Sequence, residues 1–190
     1  MRDIILASAS PRRREIMDKL HVRYRVVVSN VSERMPESGS PEEKIRAVAY
    51  QKADAVFAEH PEELIVAADT VVEIDGEILG KPHSMSQARE MLEKLSGRTH
   101  RVITALVMRN AELNYSAVDV TAVTFAPLES EEIERYIQTR EPYDKAGAYA
   151  IQGWASVFIT AISGNYYTVM GLPLPLVYQK LRELGYYLAS

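Results

Sequence analysis

The sequence predicts one α/β or α+β domain around a twisted, mixed β-sheet, and three observations carry that expectation. Ser-Pro pairs at 10–11 and 40–41 each open a helical pattern, with serine as N-cap and proline at the first helical position. Two apolar runs flank Asp75-Gly76, a strong signal for a tight hairpin turn. Strand-like and helix-like segments then follow one another without strict βαβ alternation, which favours a mixed sheet over a purely parallel one.

Element by element, DIILAS at the start is a short apolar run ending in small residues, which suits a buried strand entering a tight loop. A helix is expected from about Pro11 to Leu20, and YRVVVSN reads as a second strand. The stretch SPEEKIRAVAYQKADAVFAEH predicts a long helix, with Glu43 where a capping-box acid belongs. LIVAADTVVEIDGEILGKP is the hairpin, and SQAREMLEKLSG a helix ended by Gly97. THRVITALVM and SAVDVTAVTFAPL are β-rich and joined by RNAELN, which predicts an antiparallel pair. SEEIERYIQTR is an acid-started helix, EPYDKAGAYAIQG a loop, ASVFITAI a strand and GNYYTVMGLPLP a loop, before a final helix to about Leu184.

The chain of 190 residues is long enough to bury a core, and its 47% hydrophobic and 25% charged residues are those of an ordinary globular protein. A net charge of −4 argues against a general nucleic-acid binder, while gathered arginines still suit a small anion. The absence of cysteine excludes disulfides, thiolate nucleophiles and cysteine-based metal sites. No run reaches the roughly 18 apolar residues of a membrane span, so no membrane partner and a cytoplasmic location are expected.

Several residues break their own pattern. The helix opening at Pro41 places Glu42 and Glu43 in its first turn, which the helix dipole favours; the one opening at Pro11 places Arg12, Arg13 and Arg14 there. That choice costs about 0.3 to 1 kcal/mol per charge. Either the arginines are solvated, or they and the free N–H groups of the turn form an anion site such as one for phosphate. Asp69 interrupts the strand IVAADTVVEI, so it lies at the end of the sheet, is paired, or is functional; Thr70 follows on the opposite face. Lys52 falls on the apolar stripe marked by Ile45, Val48, Ala49 and Val56, either snorkelling at its edge or serving a site, and Lys81 is a second cation close to Asp69 in sequence.

Other motifs fail on inspection. GEILGKP has three residues between its glycines where a P-loop needs four, and Pro82 stands where Ser or Thr should hold the metal. The four histidines lack HExxH spacing, and no GxSxG is present. Cations to hold phosphates, together with the carboxylates Glu33 and Asp69 to hold a hard divalent ion and activate water, are what phosphoryl or nucleotidyl transfer requires.

The ordered stretches SASPRRREI, AADTVV, GKP, LSGRTHRVITA, EPYDKAGAYAIQG and GNYYTVMGLPL resemble the Maf family of nucleoside triphosphate pyrophosphatases over nearly the whole chain. The resemblance implies a single α/β domain with a long twisted mixed sheet, two lobes with a cleft between them, and an outline shared with inosine triphosphate pyrophosphatases. It implies hydrolysis of a nucleoside triphosphate to the monophosphate and pyrophosphate with Mg or Mn, and it leaves a homodimer open. Asp69 matches the proton acceptor; Arg12, Thr70 and Gln152 match positions tied to substrate choice; Ser8, Arg13, Glu33, Lys52 and Lys81 match other site residues, with Glu33 and Asp69 toward the metal.

Lysine after Asp144, and Gln152 before Gly153, resemble the branch preferring dTTP and UTP over the one acting on 7-methylguanosine triphosphate. An amide both donates and accepts, as the edge of thymine or uracil requires, although Gln152 is equally suited to bond a loop backbone. Ala150 departs from the glycine more usual there, adding a methyl and restricting φ. A non-enzymatic nucleotide-binding regulator of septum formation is the reading from a different class.

Overall fold

The computed structural model describes residues 3–186. It contains a seven-stranded sheet of order β2-β1-β3-β5-β6-β7, with β4 added to β3, and helices flanking it. The strands are β1 (Ile4–Leu6), β2 (Tyr24–Val26), β3 (Leu64–Ile74), β4 (Glu77–Leu79), β5 (Thr99–Arg109), β6 (Asn114–Phe125) and β7 (Ile159–Ser163). The helices are α1 (Pro11–Asp18), α2 (Pro41–Glu59), α3 (Met85–Leu95), α4 (Ser130–Ile137), α5 (Tyr166–Met170) and α6 (Leu174–Glu183). Pairing is parallel from β1 to both β2 and β3, and antiparallel from β3 to β4 and from β6 to β7, so the sheet is mixed as expected.

The chain divides into two compact units. The first comprises the chain up to Asp69, Thr104–Asp119, and the chain from Gly171 onward. Here β1 lies between β2 and β3, each reached through a helix, and β1 and the first residues of β3 are buried throughout, which is why IIL and LIV carry no polar alternation. Both Ser-Pro starts hold. Ser40 and Glu43 form a complete capping box on α2, whereas α1 has Ser10 as its cap and no acid in its first turn.

The second unit comprises Thr70–Ile103 and Val120–Met170. Its core joins Val72 and Leu79 of the hairpin, Leu92 of α3, Phe125 of β6, Tyr136 of α4 and Phe158. Asp75 (φ 55°) and Gly76 (φ 79°) make the two-residue turn, both in the left-handed region that a type I′ hairpin demands. Among the described residues no helix is long and apolar enough to cross a membrane.

Three elements differ from expectation, each for a local reason. The expected strand 24–30 stops at Val26, because β1 ends at Leu6, whose carbonyl accepts the Val27 N–H, and among the described residues no parallel neighbour continues beyond it. Residues Trp154–Phe158 form a 3-10 turn before β7, since the Glu141 carboxylate accepts the N–H groups of Trp154 and Ala155 that a strand would give to a neighbour. Within the expected loop 164–175, Asn165 accepts from the Tyr167 N–H at 2.8 Å and so starts α5. Ala150 carries no backbone cost: the left-handed positions of that segment are Gly147 (φ 67°) and Ala148 (φ 63°).

Candidate active site

The first unit brings together five of the residues expected at a site. In an open α/β sheet, ligands bind beyond the carboxyl ends of the parallel strands where the strand order reverses, and here the order reverses at β1. Ser8 follows β1, Glu33 lies in the segment after β2, and β3 runs three residues beyond Val66, the last partner of β1, to Asp69. The ladder from β3 to β4 begins only at Val72, so Asp69 lies in the interval between the two ladders. This accounts for a carboxylate in the middle of an apolar strand.

Lys52 is 8% exposed. A snorkelling lysine carries its amine to water; the Lys52 Nζ instead ends 2.8 Å from Asp69 Oδ1 and 3.1 Å from Glu33 Oε1. Asp69 is largely covered and Glu33 half exposed. An ammonium has three donors, so two carboxylates leave one for a further oxygen.

Arg13 is buried as well. Its Nε donates to the Gly171 carbonyl at 2.7 Å, one terminal nitrogen donates to Ser8 Oγ at 3.3 Å, and the other lies 3.7 Å from Asp69 Oδ1. Burial pushes the Arg13 pKa down; Asp69 opposes that shift, Arg12 adds to it, and Glu33 opposes it. A guanidinium stays charged through such changes. The charge misfit at the start of α1 is therefore answered in part within the chain, since the Arg13 side chain turns inward to Asp69. Arg12 is half-buried, while Arg14 is exposed and donates to the Ala9 carbonyl at 3.5 Å. Ser8 Oγ also accepts the Ser10 N–H at 3.2 Å, which ties the loop between β1 and α1 to the same hydroxyl.

Thr70, Lys81 and Gln152 belong to the second unit. Thr70 is half-buried on β3 beside Asp69, Lys81 is exposed after β4, and Gln152 is exposed in a turn closed by the Gly153 N–H to the Ala150 carbonyl at 3.1 Å. Gly147 is required in this segment: a Cβ there would lie 2.8 Å from Val72 Cγ2.

The family model for "Maf-like protein" matches residues 3–184. The chain belongs to the Maf family. This Maf chain is 46% identical over 182 residues, 96% of either chain, to a Bacillus velezensis protein named dTTP/UTP pyrophosphatase. It is 44% identical to one of that name from Symbiobacterium thermophilum, covering 98% of this chain and 96% of the relative. Among solved structures, the Ham1 protein of Staphylococcus aureus superposes with a TM-score of 0.57 at 16% identity, covering 96% of this chain and all of the other. A HAM1 protein from Coxiella burnetii gives 0.55 at 13%, with the same coverage. At these identities they share the fold alone.

The Maf motifs do not single out the residues that hold the site in place. Gln51, next to Lys52 on α2, accepts the Arg34 N–H at 2.9 Å and donates to the Arg34 carbonyl at 2.7 Å, fixing the segment that carries Glu33. Gly171 contributes only a carbonyl, to Arg13. No sequence signal marks a main-chain acceptor 158 residues from its donor; for Gln51, its adjacency to the anomalous Lys52 was the one available cue.

Proposed function

We propose that this Maf chain is a nucleoside triphosphate pyrophosphatase acting on dTTP and UTP and releasing the monophosphate and pyrophosphate. The observation that carries the reading is the Lys52 ammonium held between the Asp69 and Glu33 carboxylates, with the Arg13 guanidinium against Asp69. The names of the relatives that cover nearly the whole chain support the substrates.

In this reading Asp69 orients the attacking water and accepts its proton. Lys52 offers its remaining N–H to a phosphate oxygen, and Arg12, Arg13 and Lys81 offset the charge that develops on the departing pyrophosphate. Ser8 holds the Arg13 fork in place, and Thr70 and Gln152 select the base and sugar. Glu33 and Asp69 are hard oxygen donors already sharing one cation, a donor set that suits Mg or Mn completed by substrate phosphates. Among the described residues no third acid or histidine joins them. Bound there, such an ion supplies charge neutralisation and polarises a phosphoryl oxygen.

The test is pyrophosphate release from dTTP, UTP, dCTP and 7-methylguanosine triphosphate with Mg or Mn present. Asp69→Asn is expected to lower the rate at least about 100-fold with an unchanged circular dichroism spectrum. Orthophosphate as the product, or an undiminished rate in the variant, overturns the mechanism; preference for the methylated purine overturns the substrate.

A further inference from the structure

Glu141 opens the segment EPYDKAGAYAIQG, and the mechanism above does not use it. It lies at the start of the first 3-10 turn after α4, and its carboxylate takes three donors. Tyr136 Oη donates to Oε1 at 3.0 Å, the Ala155 N–H to Oε1 at 3.1 Å, and the Trp154 N–H to Oε2 at 2.8 Å. Tyr136 is fully buried, so one anchor of the carboxylate belongs to the core itself. The other two are the peptide groups immediately after Gly153. Gly153 lies so close that a Cβ on it would come 2.3 Å from Oε1. The Ser156 N–H closes onto the Gly153 carbonyl at 3.1 Å, and the Gly153 N–H onto that of Ala150. Gln152 is thus held on one side by the turn from Ala150 and on the other by peptides whose N–H groups end on one carboxylate.

We infer that Glu141 is a positioning residue for base selectivity, fixing Gln152 through the three bonds that tie the Gly153–Ala155 backbone to Tyr136. The inference rests on the reading of Gln152 as the residue that meets the base. A primary amide that must donate and accept at once discriminates only if its plane is held, because a rotation exchanges donor for acceptor against the base edge. A carboxylate is the side chain that can accept all three donors. The isosteric amide cannot: its NH₂ faces an N–H at either position.

The experiment compares kcat/KM for dTTP and dCTP in wild type, Glu141→Gln, Gln152→Ala and the double variant. Glu141→Gln is expected to narrow the dTTP to dCTP ratio about tenfold, the size of one well-placed hydrogen bond, and to add nothing in the Gln152→Ala background. Gly153→Ala, which presses the same turn from the opposite side, is expected to narrow it likewise. A purely structural role lowers both substrates equally and leaves the ratio at its wild-type value, which overturns the inference. Discrimination lost in Gln152→Ala but kept in both Glu141→Gln and Gly153→Ala overturns the role of Glu141 alone. Discrimination kept in Gln152→Ala, or no pyrophosphate from wild type, overturns the underlying reading and this one with it.

Discussion

Lowering the pH should destabilise this protein through one histidine. His100, on β5, is 1% exposed; its Nε2 is 2.7 Å from Tyr149 Oη, and among the described residues its Nδ1 has no partner. The ring stands edge-on to Phe125 and Tyr149, at centroid distances of 5.1 and 5.3 Å. Burial pushes its pKa down from 6.5 to about 4. Burial also pushes the Tyr149 hydroxyl up, so no charged neighbour arises there at neutral pH. Between pH 6.5 and about 4 the unfolded chain binds a proton at this site that the folded chain refuses. Stability therefore falls as the pH falls through that window and levels off below it. A displacement of about 2.5 units at ~1.4 kcal/mol each amounts to about 3 kcal/mol. Carboxylates titrate in the same range, so the useful quantity is a difference between proteins. Urea unfolding of wild type and His100→Gln at pH 7, 6, 5 and 4 isolates it, because the amide keeps a partner for Tyr149 and has no charge to gain. Wild type should lose about 3 kcal/mol more than the variant on going from pH 7 to pH 4. Parallel curves for the two proteins would refute the argument.

Two further outcomes are expected. Lys52→Met removes the cation shared by Asp69 and Glu33; kcat/KM should fall about 100-fold or more in a pyrophosphate-release assay. Gly147→Ala places a methyl 2.8 Å from Val72 Cγ2 at a φ of 67°, and should cost about 2 to 3 kcal/mol, read as a Tm lowered by roughly 5 to 10 °C in a thermal melt.

What the sequence disclosed and what it hid divide along physical lines. Caps and turn residues act within a few positions, so Ser10, Ser40 and the Asp75-Gly76 turn were legible, and with them α1, α2 and the hairpin. Residues that violate their own pattern were legible too: Asp69 in an apolar strand and Lys52 on an apolar stripe meet at 2.8 Å. The 3-10 turn Trp154–Phe158 was hidden, because what suppresses the strand is the carboxylate of Glu141, 13 residues before Trp154. The inward turn of Arg13 was hidden as well, since three consecutive arginines look alike until one finds a carbonyl 158 residues away.

The tether from Gln51 to the backbone of Arg34, beside the ion pair from Lys52 to Glu33, divides the connection between β2 and α2 into two parts with different freedom. Glu33 and Arg34 are pinned to consecutive residues of one helix. Residues 35–39 are exposed and lie between that tether and the Ser40 cap. Loop length beyond a fixed point costs little free energy. Insertions and deletions are therefore best tolerated between Pro36 and Gly39, and the same few residues are where a fluorophore or affinity tag can be carried without disturbing the acids.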